Sequence, residues 1–527
     1  MSEKNETRVV GEVVDASVSR GINVKLSLTS PENIKTGYPV IAEGEKYDFY
    51  CVVMDVFNPP LDIVDTLATS DLGKRAIPAV SPGMQKGYFG NIFYSKVLLE
   101  PIQLVDKKDG TLSDVETIPQ YFTKVRFATA DDVKVIYQPN KNSMPIGNLR
   151  GIPEFDIPID FDKLTQKAFA LLGRTGAGKS FLNKIICNFI LKTEAASVFL
   201  FDMHNEYGTY SATDNSRGLK FYFPEKVEWL TLDPDKNKEA TPFFIDPHSI
   251  TPEDLILAIT DLTTRMQDAI WAINTTRGQN DLLTAIRNTQ PGKVATIPDS
   301  TLMGLQARIA RLDRLQFLRP KPKPAKEDSF TTMLRKVREG KSIVLDFGRY
   351  GKQSMVYLFV ANIISRRLHE IYSDKGEELP RLVIFLEEAH KFLDPEVAEL
   401  TIFSILAREM RKFNLVVSII DQRPSKIDDE VMSQLGNRII LSLKDPKDLT
   451  AALAGIPKAK VWTNIAQSIP PRTALIVGDA VRVPTVVDVL DYGKIEGMLK
   501  TAQGKRMTSE EIKKIAKNAE RIVKSID

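Results

Sequence analysis

Gly173-Arg174-Thr175-Gly176-Ala177-Gly178-Lys179-Ser180 follows the apolar run AFALL (168–172) and opens the helix-length stretch SFLNKIICNFIL (180–191). A strand, a glycine-rich turn and a helix form the context in which G-x-x-x-x-G-K-S cradles phosphate. The glycines let backbone N–H groups turn inward around phosphate oxygens, and the helix N-terminus adds positive potential. On this reading the loop from Gly173 to Gly178 binds the phosphates of ATP. Lys179 neutralises the β- and γ-phosphates, and the Ser180 hydroxyl sits on Mg²⁺.

Outward from this loop the same grammar recurs. SVFLF (197–201), SIVLDF (342–347), RLVIFLE (381–387), LVVSII (415–420), RIIL (438–441) and TALIVG (473–478) are apolar throughout rather than alternating. That pattern predicts parallel strands covered by helices on both faces, a doubly wound α/β domain. The stretch from about 250 to 340 interrupts the rhythm. Thr251 precedes Pro252 as a helix start, and apolar periodicity through LILAITDL, MQDAIWAI and LMGLQARIARL predicts three or four inserted helices before the stiff segment RPKPKPAK (319–326).

Upstream, residues 8 to about 128 carry short β-type segments (VVGEVV, INVKLSL, YDFYCVVMDVF, VRFATA) separated by turn residues. They predict a small barrel or sandwich without a catalytic constellation, which suits docking or assembly. At the other end, Thr508 and Glu511 form a capping box ahead of one apolar helix stripe, Ile512 to Val523. The expected division is a β-barrel at 1–130, an ATPase core at 131–495 with its helical insertion at about 250–335, and a helical extension at 496–527.

Composition narrows the class. Among 527 residues, 43% are hydrophobic and 26% charged, which excludes disordered, collagenous and low-complexity chains. Lys plus Arg number 71 against 68 Asp plus Glu, a net +3 that neither demands nor excludes a nucleic-acid partner. Two cysteines and four scattered histidines argue against a disulfide framework or a structural zinc site. The charged N-terminus lacks a signal-peptide core, and the longest apolar run, Ser354 to Ser365, is too short to span a bilayer. The expectation is a cytoplasmic protein without a membrane span.

Four further elements carry chemistry. Leu386-Glu387-Glu388-Ala389-His390 ends an apolar run in paired acids, at the edge where ligands bind such sheets. One carboxylate there can support Mg²⁺ while its neighbour polarises the attacking water. Asp202, just past SVFLF, joins the nucleotide-site candidates, for hydrogen bonding and loop positioning rather than metal ligation. Gln422 lies just beyond LVVSII, where a side chain can sense a γ-phosphate. Arg408 and Arg411 sit three apart on one helix; they are either arginine fingers acting across a subunit boundary or members of intrahelical and neighbouring salt bridges.

With these pieces in order, the chain resembles the HerA branch of the HerA/FtsK family of hexameric DNA-pumping ATPases. The carrying segments are GRTGAGKS (173–180), LFDMHNEYG (200–208), IFLEEAHKFL (384–393), ILAREMRKFNL (405–415), DQRPSKID (421–428) and QLGNRIILSLKDP (434–446). The resemblance implies a RecA-like core behind a small N-terminal barrel. It implies that Glu387 supports the metal, Glu388 activates water, and Gln422 is a sensor on a strand inserted beside the phosphate-loop strand. It also implies an ATP-driven double-stranded DNA translocase or helicase working as a homo-hexamer, with a NurA-type nuclease docked on the barrel for DNA end resection and repair. A nucleotide-gated scaffold in anti-phage defence, or a DNA-transfer or packaging motor, is the alternative. Loops after the acid strand and the Gln422 strand would face a central pore, which nominates Lys391, Arg423 and Lys426 as DNA contacts. The chain departs from the family at Arg174, usually a small residue, at Asn205, commonly Gly, and at Ile405, often Arg.

Overall fold

The computed structural model describes residues 9–27, 29–59, 94–211, 216–294, 296–320, 327–375, 378–398, 401–409 and 413–500. It divides into two compact units: residues 1–139, 147–158 and 456–489 in one, and 140–146, 159–455 and 490–527 in the other.

In the first unit, strands follow the order Gly21–Leu26, Val9–Ser17, Lys124–Phe127, Pro39–Glu43, Tyr47–Phe57 and Lys96–Asp106. All are antiparallel, and Lys96–Asp106 pairs back onto Gly21–Leu26 to close a six-stranded barrel. Closure removes the open edges that would otherwise invite aggregation. Alternate residues fill the interior, among them Val10, Ile22, Val24, Val40, Phe49, Cys51, Val97 and Leu99. Gly11 is dictated by packing: a Cβ there would meet the Lys25 carbonyl oxygen at 1.9 Å. The same unit includes the antiparallel pair Thr473–Gly478 and Thr485–Val489, which continues onto Ser143–Leu149. TALIVG is therefore a strand, but an antiparallel one.

The second unit is the parallel sheet. Its strands run in the order Thr241–Pro242, Val227–Thr231, Ser342–Asp346, Ser197–Asp202, Leu382–Glu387, Leu415–Asp421, Phe169–Leu172 and Asn437–Leu441. Every neighbouring pair in that series is parallel. The Gln422-bearing strand lies between the acid strand and the phosphate-loop strand. Both faces of the central strands are covered, so most of their positions are apolar, with Glu228, Thr231, Ser418, Asn437 and Arg438 among the exceptions.

Lys179–Thr193 is the helix behind the phosphate loop; it buries Leu182, Ile185, Ile186, Phe189 and Ile190. Each such side chain contributes about 1.5–3 kcal/mol relative to exposure, which fixes the helix start firmly against the sheet. Pro252–Ala258, Thr264–Thr276, Leu282–Asn288 and Asp299–Ile309 form the helical stretch between sheet strands. Its first helix carries the Thr251–Asp254 capping box. Buried Asp254 also accepts from Asn362 at 2.9 Å and Arg366 at 2.6 Å, tying it to helix Ser354–Lys375. Among the described residues no helix is long and apolar enough to cross a membrane. The C-terminal stripe Ile512 to Val523 and Arg411 lie outside the described residues.

Candidate active site

The phosphate loop is lashed to its sheet by backbone bonds. Gly173 N–H donates to the Asp421 carbonyl at 3.1 Å and Arg174 N–H to the Ser442 carbonyl at 3.0 Å. A Cβ at Gly173 would press on Leu441 at 2.8 Å, so that position needs glycine for close packing. Gly176 and Gly178 take φ of +75° and +98°, and a Cβ at either would enter open space. Those two glycines are required by backbone conformation, and they leave the concave side clear for a ligand. The Lys179 ammonium donates to the carbonyls of Gly173 at 2.7 Å and Arg174 at 3.1 Å. Burial lowers its pKa, against the pull of Asp421, Glu387 and Glu388. Arg174, Thr175 and Ser180 are exposed, Ala177 is buried, and the Thr175 hydroxyl donates to Gln422 Oε1. The structure thus brings Gln422 onto the loop.

Glu387 ends the acid strand. Its carboxylate accepts from the Tyr207 hydroxyl at 2.6 Å, and its carbonyl accepts from the Tyr357 hydroxyl at 2.8 Å. Burial pushes the Glu387 carboxyl up to about 7; the Tyr207 bond opposes this, Glu206 and Glu388 add to it, and Lys179 opposes it. Glu388 sits in the left-handed region at φ +50°. For a residue with a Cβ this stores about 1–3 kcal/mol and must be over-determined by its surroundings. Asp421 supplies that restraint: it accepts from His390 N–H at 2.7 Å and the His390 ring at 2.9 Å. The His390 pKa rises accordingly, chiefly through this bond. Asp421 also accepts from Arg423 N–H at 2.7 Å.

Asp202 accepts the backbone N–H groups of Glu206 and Tyr207, each at 2.9 Å. Both its oxygens therefore organise the loop after its strand. Burial pushes its carboxyl up to about 7, opposed by those two N–H groups and reinforced by Asp346 and Glu387. Asn205 takes φ +55° in this loop, which explains how Asn stands where glycine is common: its short polar side chain tolerates the left-handed region.

The other candidates occupy the rim. Lys391 pairs with Glu388 and donates to Ser354 Oγ at 3.0 Å. Arg423 and Lys426 are exposed on the loop after the Gln422 strand. Arg408 pairs with Glu430 at 3.1 Å and Asp428 at 3.4 Å, in its own chain. Sequence reasoning did not single out Asn183, Tyr207, Tyr357 or Asp421. Tyr207 and Asp421 lie inside the motif segments, but their partners are distant in the chain.

Among the described residues, no group of three or more His, Cys, Asp and Glu is arranged as a metal cage. The donor set still fits Mg²⁺. It offers hard oxygens only, the Ser180 hydroxyl and the Glu387 carboxylate, with the negative charge of Glu206 and Glu388 beside Glu387. A cation held by few protein ligands and a nucleotide's phosphates does not need a protein cage.

Residues 144–368 match the family model of the helicase HerA central domain, and 324–490 match that of the helicase HerA-like C-terminal domain. The DNA double-strand break repair helicase HerA of Sulfurisphaera tokodaii is 25% identical over 93% of this chain and 94% of its own length. That of Pyrococcus furiosus is 23% identical over 76% of this chain and 79% of its own. Among solved structures, VirB4 of Thermoanaerobacter pseudethanolicus aligns with a TM-score of 0.47 and 16% identity, covering 67% of this chain and 98% of that one. The two family models overlap and together span residues 144–490, well over half of the sequence: the chain belongs to the HerA helicase family.

Proposed function

We propose that this chain is an ATP-driven double-stranded DNA translocase or helicase that works as a homo-hexamer in DNA end repair. The observation that carries the proposal is the convergence of Lys179, Glu387, Glu388 and Gln422 at the carboxyl edge of three adjacent parallel strands. In the proposed reaction water attacks the γ-phosphorus of ATP, releasing ADP and phosphate. Lys179 neutralises the phosphates, Glu388 polarises the water, and Gln422 reports the γ-phosphate to the loop that carries Arg423 and Lys426. Mg²⁺, held by Ser180 and Glu387, would offset charge on the phosphate oxygens. Arg423 and Lys426 contact DNA phosphates, which positions the duplex without reading its sequence.

The partner is a nuclease of the NurA type, docked on the barrel. Val18, Ile118, Tyr121 and Phe122 support this part of the reading, because large apolar side chains are exposed there, Phe122 to 74%. The testing experiment measures ATP hydrolysis with and without linear duplex DNA, together with displacement of a DNA-bound roadblock. DNA-stimulated hydrolysis with roadblock displacement is expected. Hydrolysis indifferent to DNA at low salt would reject the motor in favour of a nucleotide-gated scaffold.

A further inference from the structure

Tyr207 is 1% exposed, yet its hydroxyl is fully engaged. It accepts from Asn183 Nδ2 at 2.9 Å and donates to Glu387 Oε1 at 2.6 Å. A phenol has one proton and a side-chain amide N–H can only donate, so the chain has one direction, Asn183 to Tyr207 to Glu387. The Tyr207 backbone is located by restraints independent of that chain. Asp202 holds the Tyr207 N–H at 2.9 Å, and the Tyr207 carbonyl accepts from Leu219 N–H at 2.9 Å. Gly218 lies so close that a Cβ there would meet the Tyr207 carbonyl oxygen at 2.6 Å. Asn183 belongs to the helix that begins at Lys179, one turn beyond Ser180.

We infer that Tyr207 is the positioning residue of Glu387: its hydroxyl occupies Oε1, so Oε2 is the oxygen presented to the nucleotide's Mg²⁺, and Asn183 keys that orientation to the phosphate-loop helix. A carboxylate on a strand end otherwise rotates freely about its last bond. A single strong donor on one oxygen removes that freedom, as partners of metal-binding side chains do elsewhere. The inference rests on the nucleotide-site reading above and adds to it a residue that acts through Glu387. It also accounts for the loop after Asp202, which delivers the tyrosine to the acid strand.

The test is equilibrium binding of a fluorescent ATPγS to the full chain, in EDTA and across a Mg²⁺ titration. Tyr207→Phe removes the hydroxyl and keeps the ring. Its dissociation constant in EDTA should stay within about twofold of wild type, while the Mg²⁺ needed for half-maximal tightening should rise about 10- to 100-fold, the range for losing such a partner. Saturating Mg²⁺ should then recover most of the hydrolysis rate, a shift in metal requirement rather than in turnover. If Tyr207→Phe does not fold, Asn183→Leu reads the same shift from one step upstream, smaller but in the same direction. A wild-type Mg²⁺ midpoint in the folded variants, or a loss of affinity equal in EDTA and Mg²⁺, overturns the inference and leaves the nucleotide site standing. A wild-type chain that binds no ATPγS at all overturns the site reading itself.

Discussion

The Lys391 ammonium pairs with the carboxylate of Glu388, three residues before it in the chain. A side chain that the sequence nominates for DNA is thus in contact with the one proposed to activate water. A DNA phosphate that draws Lys391 away would release Glu388 in the same movement. Lys391→Ala is expected to raise hydrolysis without DNA, by up to about fivefold, the ceiling for a partly exposed pair worth about 0.2–1 kcal/mol. A basal rate equal to wild type would show that the pair does not restrain Glu388.

Arg423 and Lys426 should behave differently. Their side chains are exposed and, among the described residues, pair with no acid of the site, so Arg423→Ala and Lys426→Ala should leave basal hydrolysis unchanged. Each should weaken DNA binding at every sequence and reduce the slope of log affinity against log salt by about one. An unaltered salt slope in both variants would remove them from the DNA interface.

Chemistry and binding should separate at the paired acids. Lys179→Ala is expected to lose nucleotide affinity and activity together. Glu388→Gln should retain nucleotide while hydrolysis falls about 10²- to 10⁴-fold, the usual contribution of a positioned base. Hydrolysis by Glu388→Gln at the wild-type rate would move the role to another residue.

Asp202 makes stability depend on pH with a defined sign. Burial, before any other cause, pushes its carboxyl up to about 7 from the ordinary 3.8. Between those values the folded chain keeps a proton that the unfolded chain has released, so stability falls as pH rises through the window. Asp202→Asn removes that titration. The Tm of Asp202→Asn minus that of wild type should therefore grow from about pH 5 to about pH 7.5 and level off above. A difference that is constant with pH would contradict the shift.

Arg408 already has partners in its own chain, Asp428 and Glu430, which leaves Arg411 as the better candidate for a trans-acting finger. Mixing Arg411→Ala with Lys179→Ala, each inactive alone, should restore partial hydrolysis if some interfaces pair an intact loop with an intact arginine. No recovery in the mixture would place the residue in cis.

What the sequence showed depended on whether a residue's role is local. The parallel strands were legible because burial on both faces demands uninterrupted apolar runs. Val227–Thr231 escaped because Glu228 and Thr231 break its run. The phosphate loop was legible in full, since its geometry lies within eight consecutive residues. The Tyr207 bond to Glu387 was not, because its partners are 180 residues apart and only the sheet brings their strand ends together. The capture of Gln422 by Thr175, 247 residues apart, was hidden for the same reason. A motif names the residue types; the fold decides which of them face one another.

Asp421 has a mechanical consequence. One buried carboxylate receives His390, from the loop that bears Glu388, and the backbone of Arg423, from the neighbouring loop. It acts as a rivet through two plates, so sliding one loop past the other would break charge-assisted bonds worth about 1.5–3 kcal/mol each. A push delivered at Arg423 would reach the loop of Glu388 through this shared carboxylate, and a rearrangement at Glu388 would travel outward by the same path. The stroke of such a machine would then be set by the stiffness of a single joint rather than by the length of the loops it connects.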